Sequence, residues 1–137
     1  MTAANHLLEL EDIHTYYGAI HALKGINCAV PDGGIACLIG ANGAGKTTTL
    51  MTISGVQQSR KGTIRFKGQA IQRLRPEKVA ALGVAQSPEG RQIFPRMSVL
   101  ENLQMGAYLR KDKAKVREDL EWSFELFPVL KERVNQL

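Results

Sequence analysis

Ile35-Ala36-Cys37-Leu38-Ile39-Gly40-Ala41-Asn42-Gly43-Ala44-Gly45-Lys46-Thr47 runs an apolar stretch into a glycine-rich turn and a lysine–threonine pair. From Gly40 onward it fits the spacing G-x-x-x-x-G-K-[ST] at every fixed position. Glycines let a backbone curl until its N–H groups point inward, forming a nest for phosphate oxygens at a helix N-terminus. Lys46 adds a point charge for the outer phosphates, and the Thr47 hydroxyl suits the coordination sphere of Mg²⁺. The ligand class implied is a nucleoside triphosphate. The flanks agree: Ile35 to Ile39 has the length of a strand buried on both faces of a parallel sheet. Thr47 to Ser54 carries Leu50 and Ile53 at helical spacing and stops at Gly55. Three successive threonines are weak helix formers, so a phosphate site explains a helix start there better than propensity does.

Composition sets the outer limits. With 137 residues, 44% hydrophobic and 23% charged, the chain is of a size and make-up for one ordinary globular domain. No apolar run approaches the roughly 20 residues of a membrane span, and Met1 to Ile13 lacks the character of a signal peptide, which reads as cytosolic. Cys28 and Cys37 lie in apolar, strand-like stretches and read as buried thiols. His6, His14 and His21 show no ligand spacing. The net charge of +5 is spread from Arg60 to Arg117 with few interleaved aromatics, which describes a solvated surface and no nucleic-acid partner.

Strands are expected over Leu8 to His14 and Ile26 to Val30, joined through Tyr16-Tyr17-Gly18, with a turn at Pro31-Asp32-Gly33-Gly34. Thr63 to Gly68 alternates with period two, Arg73 to Leu82 suits a short helix starting near Pro76, and Gly83-Val84-Ala85 a short buried strand. Past Pro95 the pattern turns helical. Ser98-Val99-Leu100-Glu101 has capping-box spacing, so a helix starts at Ser98 and runs toward Leu109. A second helix carries Val116, Leu120, Phe124 and Phe127, with Trp122 and Leu126 widening a core-facing side, until Pro128.

Together these residues resemble the N-terminal part of an ATP-binding cassette (ABC) protein, most closely the ATPase subunit of bacterial branched-chain amino acid importers. The resemblance runs in one register from about Leu7 to the end. It passes through Tyr16-Tyr17-Gly18, Ala22-Leu23-Lys24-Gly25, the phosphate loop and Gly62-Thr63-Ile64. It continues through Pro88-Glu89-Gly90-Arg91, Phe94-Pro95, Met97-Ser98-Val99, Glu101-Asn102-Leu103 and Glu125-Leu126-Phe127-Pro128. The fold it implies is an α/β P-loop NTPase of the ABC type. That fold has a mixed sheet with an antiparallel β subdomain and the start of a helical subdomain, here an incomplete domain. Residues 1–96 would form the nucleotide-binding core with the β subdomain, and 97–137 the beginning of the helical subdomain.

The resemblance implies that Tyr17 stacks on adenine, and that Gly40, Ala41, Asn42, Gly43, Ala44, Gly45, Lys46, Thr47 and Thr48 hold the phosphates of ATP. Where most cassette ATPases place a glutamine near Mg²⁺ and the attacking water, this chain has Glu89; Pro-Glu-Gly-Arg is typical of the branched-chain group. A carboxylate is a charged oxygen ligand able to bind Mg²⁺ directly or through water, so Glu89 joins Thr47 as a candidate metal ligand, ahead of Gln86 three residues earlier. Ile53-Ser54-Gly55-Val56-Gln57 looks like the family's signature motif but follows the phosphate-loop helix directly and lacks the second glycine, which makes it a helix C-terminus.

The family's true signature motif, its apolar strand ending in a Mg²⁺-binding aspartate, its catalytic glutamate and its switch histidine have no match within the 137 residues. Lys46 and Glu89 are therefore contributors to a catalytic set that is not complete here, and the chain alone is expected to bind nucleotide without appreciable turnover. The family resemblance further implies a second ATPase subunit, identical or not, and a membrane permease contacted through Arg91 to Val99, on the cytoplasmic face of the cell membrane. Two other functions stay open: a nucleotide-binding or permease-docking module without catalysis, and the ATPase of a system with another substrate. A P-loop GTPase lacks support, since no Asn-Lys-x-Asp base-reading motif occurs.

Overall fold

Leu8, Leu10, Ile13 and Thr15 lie on the inward side of the first strand, the three-residue step from Leu10 to Ile13 being taken up by a register shift, and the other side stays partly wet. In the computed structural model, which describes residues 6–137, β1 (His6–Tyr17) and β2 (Ile20–Pro31) form a long antiparallel hairpin. Both strands exceed their expected lengths because Tyr16 and Tyr17 still pair, with His21 and Ile20, and the turn falls on Gly18 and Ala19. β3 (Ser59–Phe66) pairs antiparallel with the other edge of β1, and β4 (Gln69–Ala70) follows, giving the order β2-β1-β3-β4. Gly62 is forced where β1 bulges onto β3: a Cβ there would lie 2.3 Å from the Asp12 carbonyl oxygen, and φ is +94°.

Residues up to Gln86 form one compact unit. Its core joins Leu10, Ile13, Leu23, Ile64 and Ile71 of the sheet region to Val79, on the short helix α2 (Pro76–Ala81) that starts, as expected, with its proline in the first turn. The phosphate-loop helix α1 spans Lys46–Ile53 and is followed by Gly55 in the left-handed region.

Several expectations are corrected in this unit. Ile35 to Ile39 forms no strand, and Ile35 and Ile39 are 94% and 95% exposed. A strand of a parallel sheet is stable only between neighbours, and among the described residues none lies alongside it; every pairing is antiparallel. The same lack of a neighbour leaves Val84 half-buried outside any strand and Cys37 exposed, while Cys28 on β2 is partly buried and its thiol is pushed up by that burial. On α1 the inward residues are Thr49 and Thr52, not Leu50, which is exposed.

Residues 87–137 form the second unit, built of α3 (Val99–Gly106), α4 (Lys113–Leu126) and α5 (Pro128–Glu132). The capping box forms as its spacing predicts: Glu101 N–H donates to Ser98 Oγ at 3.3 Å, and Ser98 N–H donates to Glu101 Oε2 at 2.7 Å. The Ser98 backbone N–H, and then its hydroxyl, hold the Glu101 carboxyl below its usual range. Arg110 grips Asp112 and Asp119, linking the turn after α3 to α4. The guanidinium lowers Asp112 and is itself raised, first by Asp112 and then by Asp119. Phe124 is buried, but Trp122 and Leu126 are exposed, against expectation. Positions two apart on a helix differ by about 200°, so Trp122 points away from the side that carries Leu120 and Phe124. Pro128 both ends α4 and opens α5. No helix among the described residues is long and apolar enough to cross a membrane.

Candidate nucleotide-binding site

The loop from Gly40 to Gly45 enters α1 through Gly45, whose φ of 92° is left-handed and which offers no side-chain cap to the first amides of the helix. A Cβ at Gly45 would stand 2.8 Å from Leu23 Cδ2, so the loop packs closely on β2 there, and the left-handed φ favours glycine at this position. Ala44 N–H donates to the Ala41 carbonyl at 3.1 Å and closes the turn. Lys46 folds back over it, donating through Nζ to the Gly40 and Ala41 carbonyls at 2.8 Å each. An ammonium held by two neutral carbonyls beside an uncapped helix start offers the donors that suit an anion, since phosphate oxygens are stronger acceptors for the same donor. Thr47 and Thr48 occupy the first turn of α1. The Thr47 hydroxyl is an oxygen donor of the kind a hard divalent cation takes, so this residue fits Mg²⁺.

Two threonines of α1 have a structural use. Thr49 Oγ1 donates to the Gly45 carbonyl at 2.9 Å, and Thr52 Oγ1 to the Thr48 carbonyl at 2.7 Å, so their buried hydroxyls are satisfied within the helix. Thr52 also meets Thr15 of β1 at 3.1 Å. Tyr17, 40% exposed, ends β1, with its hydroxyl 3.8 Å from Met51 Sδ on α1. The structure thus brings Tyr17, the loop and α1 into one unit. Gln86 is tied to the end of α1, accepting from Ser54 Oγ at 2.8 Å. Glu89 lies in the second unit, where Gln92 Nε2 donates to its backbone carbonyl at 3.4 Å.

Two groupings escaped the sequence. His14 Nδ1 and His21 Nε2 meet at 3.0 Å across the hairpin, His14 Nε2 reaches Asp12 at 2.9 Å, and Lys61 closes the row on Asp12 at 2.6 Å. Lys61, and then His14, hold the Asp12 carboxyl low, while Asp12 raises Lys61. In the second unit Asn102 accepts from Phe94 N–H at 2.9 Å and donates to the Phe94 and Met97 carbonyls at 3.1 Å each, fixing the turn that leads into α3. Ile93 and Phe94 are exposed on that turn. The asparagine spacing alone carries no such signal; only the fold shows what it holds.

The family model described as ABC transporter matches residues 23–137. The high-affinity branched-chain amino acid transport ATP-binding protein BraG of Pseudomonas aeruginosa is 42% identical over 95% of this chain and 55% of its own length. The D-allose import ATP-binding protein AlsA of Escherichia coli strain K12 is 34% identical over 79% of the chain and 21% of its own length. A solved ATP-binding subunit of an ABC transporter superposes with a TM-score of 0.83 at 29% identity, covering 94% of this chain and 53% of that one. The chain thus spans about half the length of the first of these relatives and about half of the solved subunit.

Proposed function

The chain belongs to the ABC transporter family, and from that premise we propose that it is the nucleotide-binding part of an importer's ATP-binding subunit, with a branched-chain or related amino acid as the transported solute. The observation that carries the reading is Lys46 on the Gly40 and Ala41 carbonyls, beside a helix start capped by glycine alone. When ATP enters, Lys46 exchanges those two carbonyls for phosphate oxygens, and the first backbone N–H groups of α1, at Lys46 to Thr48, line the phosphate chain. Tyr17 offers its ring to the adenine. Mg²⁺ would supply charge neutralisation for the phosphates, and Thr47 is the loop residue that would hold it. Positioned this way the chain binds and orients ATP. Turnover requires groups beyond those in its 137 residues.

The turn fixed by Asn102 supports a permease contact through Arg91 to Val99, because it presents Ile93 and Phe94 on a backbone that is already ordered. A second ATPase subunit completes the assembly. The solute assignment follows the BraG relative, and the AlsA relative makes a sugar the alternative. Uptake by vesicles carrying the complete subunit and its permease decides between them. ATP-dependent accumulation of leucine or isoleucine supports the proposal, and accumulation of a pentose or hexose instead overturns the amino acid part.

A further inference from the structure

Gln57 is the last residue of the segment that imitates a signature motif, and the structure gives it a different task. Its backbone N–H is fixed on the Met51 carbonyl of α1 at 3.0 Å, while its side-chain Nε2 donates to the Tyr16 carbonyl at 2.9 Å. That carbonyl belongs to the peptide bond entering Tyr17. The peptide leaving the Tyr17–Gly18 pair is held as well: Arg60 Nη2 donates to the Gly18 carbonyl at 2.8 Å, and the Arg60 guanidinium lies over the Tyr16 ring, 4.5 Å from its centroid. His21 also stacks on the Tyr16 ring, with centroids 4.1 Å apart and planes at 6°.

A two-residue hairpin end is ordinarily the most mobile part of a sheet, since its own hydrogen bonds are few. Here carbonyls on both sides of Tyr17 are gripped by side chains from one short segment that leaves the C-terminus of α1. We infer that Gln57 and Arg60 are positioning residues for Tyr17: they fix its ring relative to the phosphate-loop helix and so set how much the base adds to nucleotide affinity. This rests on the proposed adenine contact of Tyr17 and adds to it a source of preorganisation. A tyrosine whose backbone is already held in place spends less ordering entropy when the base arrives. The phosphate chain is gripped by the loop and does not depend on these two residues.

The test compares two probes, Mg-ATP and Mg-tripolyphosphate, which share phosphates but not base, by calorimetric titration of the chain and of Gln57→Met, Arg60→Met and Tyr17→Ala. Loss of one ordinary hydrogen bond in the clamp should weaken ATP roughly three- to tenfold while leaving tripolyphosphate unchanged. Tyr17→Ala should remove the preference for ATP over tripolyphosphate altogether. Equal weakening of both probes by Gln57→Met and Arg60→Met overturns the inference, as does a full ATP preference in both variants. If Tyr17→Ala leaves the preference intact, the adenine contact itself fails, and that outcome is distinct from the first. Thermal unfolding of each variant separates loss of the folded chain from loss of positioning.

Discussion

The hydroxyl of Thr15 donates to the hydroxyl of Thr52 across 3.1 Å, joining β1 to the phosphate-loop helix. The direction follows from proton count: the single hydroxyl proton of Thr52 goes to the Thr48 carbonyl, so Thr52 can only accept from Thr15. Both residues are buried.

That asymmetry predicts unequal costs. Thr52→Val strands the Thr15 donor in the core and should cost about 1–3 kcal/mol, whereas Thr15→Val leaves Thr52 still bonded to its helix and should cost about 0.5–1.5 kcal/mol. Urea unfolding of the two single variants and the double checks this. The double variant should be no worse than Thr52→Val, and a Thr15→Val cost exceeding that of Thr52→Val would contradict the assignment.

Helix α3 should respond to acid through its capping box. Glu101 is held below the ordinary carboxylate value of 4.5, first by the Ser98 backbone N–H and then by the Ser98 hydroxyl. A depressed folded value means the contribution is fully present above the unfolded value and disappears as pH falls through the folded one. Helical ellipticity should therefore drop as pH is lowered below 4.5 and return on neutralisation. Glu101→Gln should flatten that acid transition, and a wild-type transition retained in Glu101→Gln would place its origin elsewhere.

Ile35 and Ile39, 94% and 95% exposed, give the chain an apolar strip beside its phosphate loop. Contiguous exposed apolar surface promotes self-association. The double variant Ile35→Ser, Ile39→Lys should lower the light scattering of concentrated chain several-fold without weakening nucleotide binding. Unchanged scattering would mean the strip is not what associates.

Legibility followed the range of the interactions. The helix start after Gly45, the capping box at Ser98 and the proline start of α2 were readable because each is set by residues within one turn of one another, whereas Pro128 reads only as a helix stop and its opening of α5 carries no such local signal. Ile35 to Ile39 and Val84 were misread because a buried strand is a statement about neighbours, and an apolar run does not say whether they are there. Trp122 was misread for a simpler reason: an apolar residue within a helical pattern is core-facing only if its angle matches, and it is about 200° from Leu120 and from Phe124. The clamp on Tyr17 and the row His21, His14, Asp12, Lys61 depend on cross-strand register, which no local pattern encodes.

On the proposed function, Lys46 gives up the Gly40 and Ala41 carbonyls to hold the phosphates of ATP. Calorimetric titration of the chain and of Lys46→Ala with Mg-ATP tests it most directly. Losing a charge-assisted contact of roughly 1.5–3 kcal/mol should weaken binding about ten- to a hundredfold with the circular dichroism spectrum unchanged. Equal affinity of the two proteins for Mg-ATP, or no binding by either, would contradict the account.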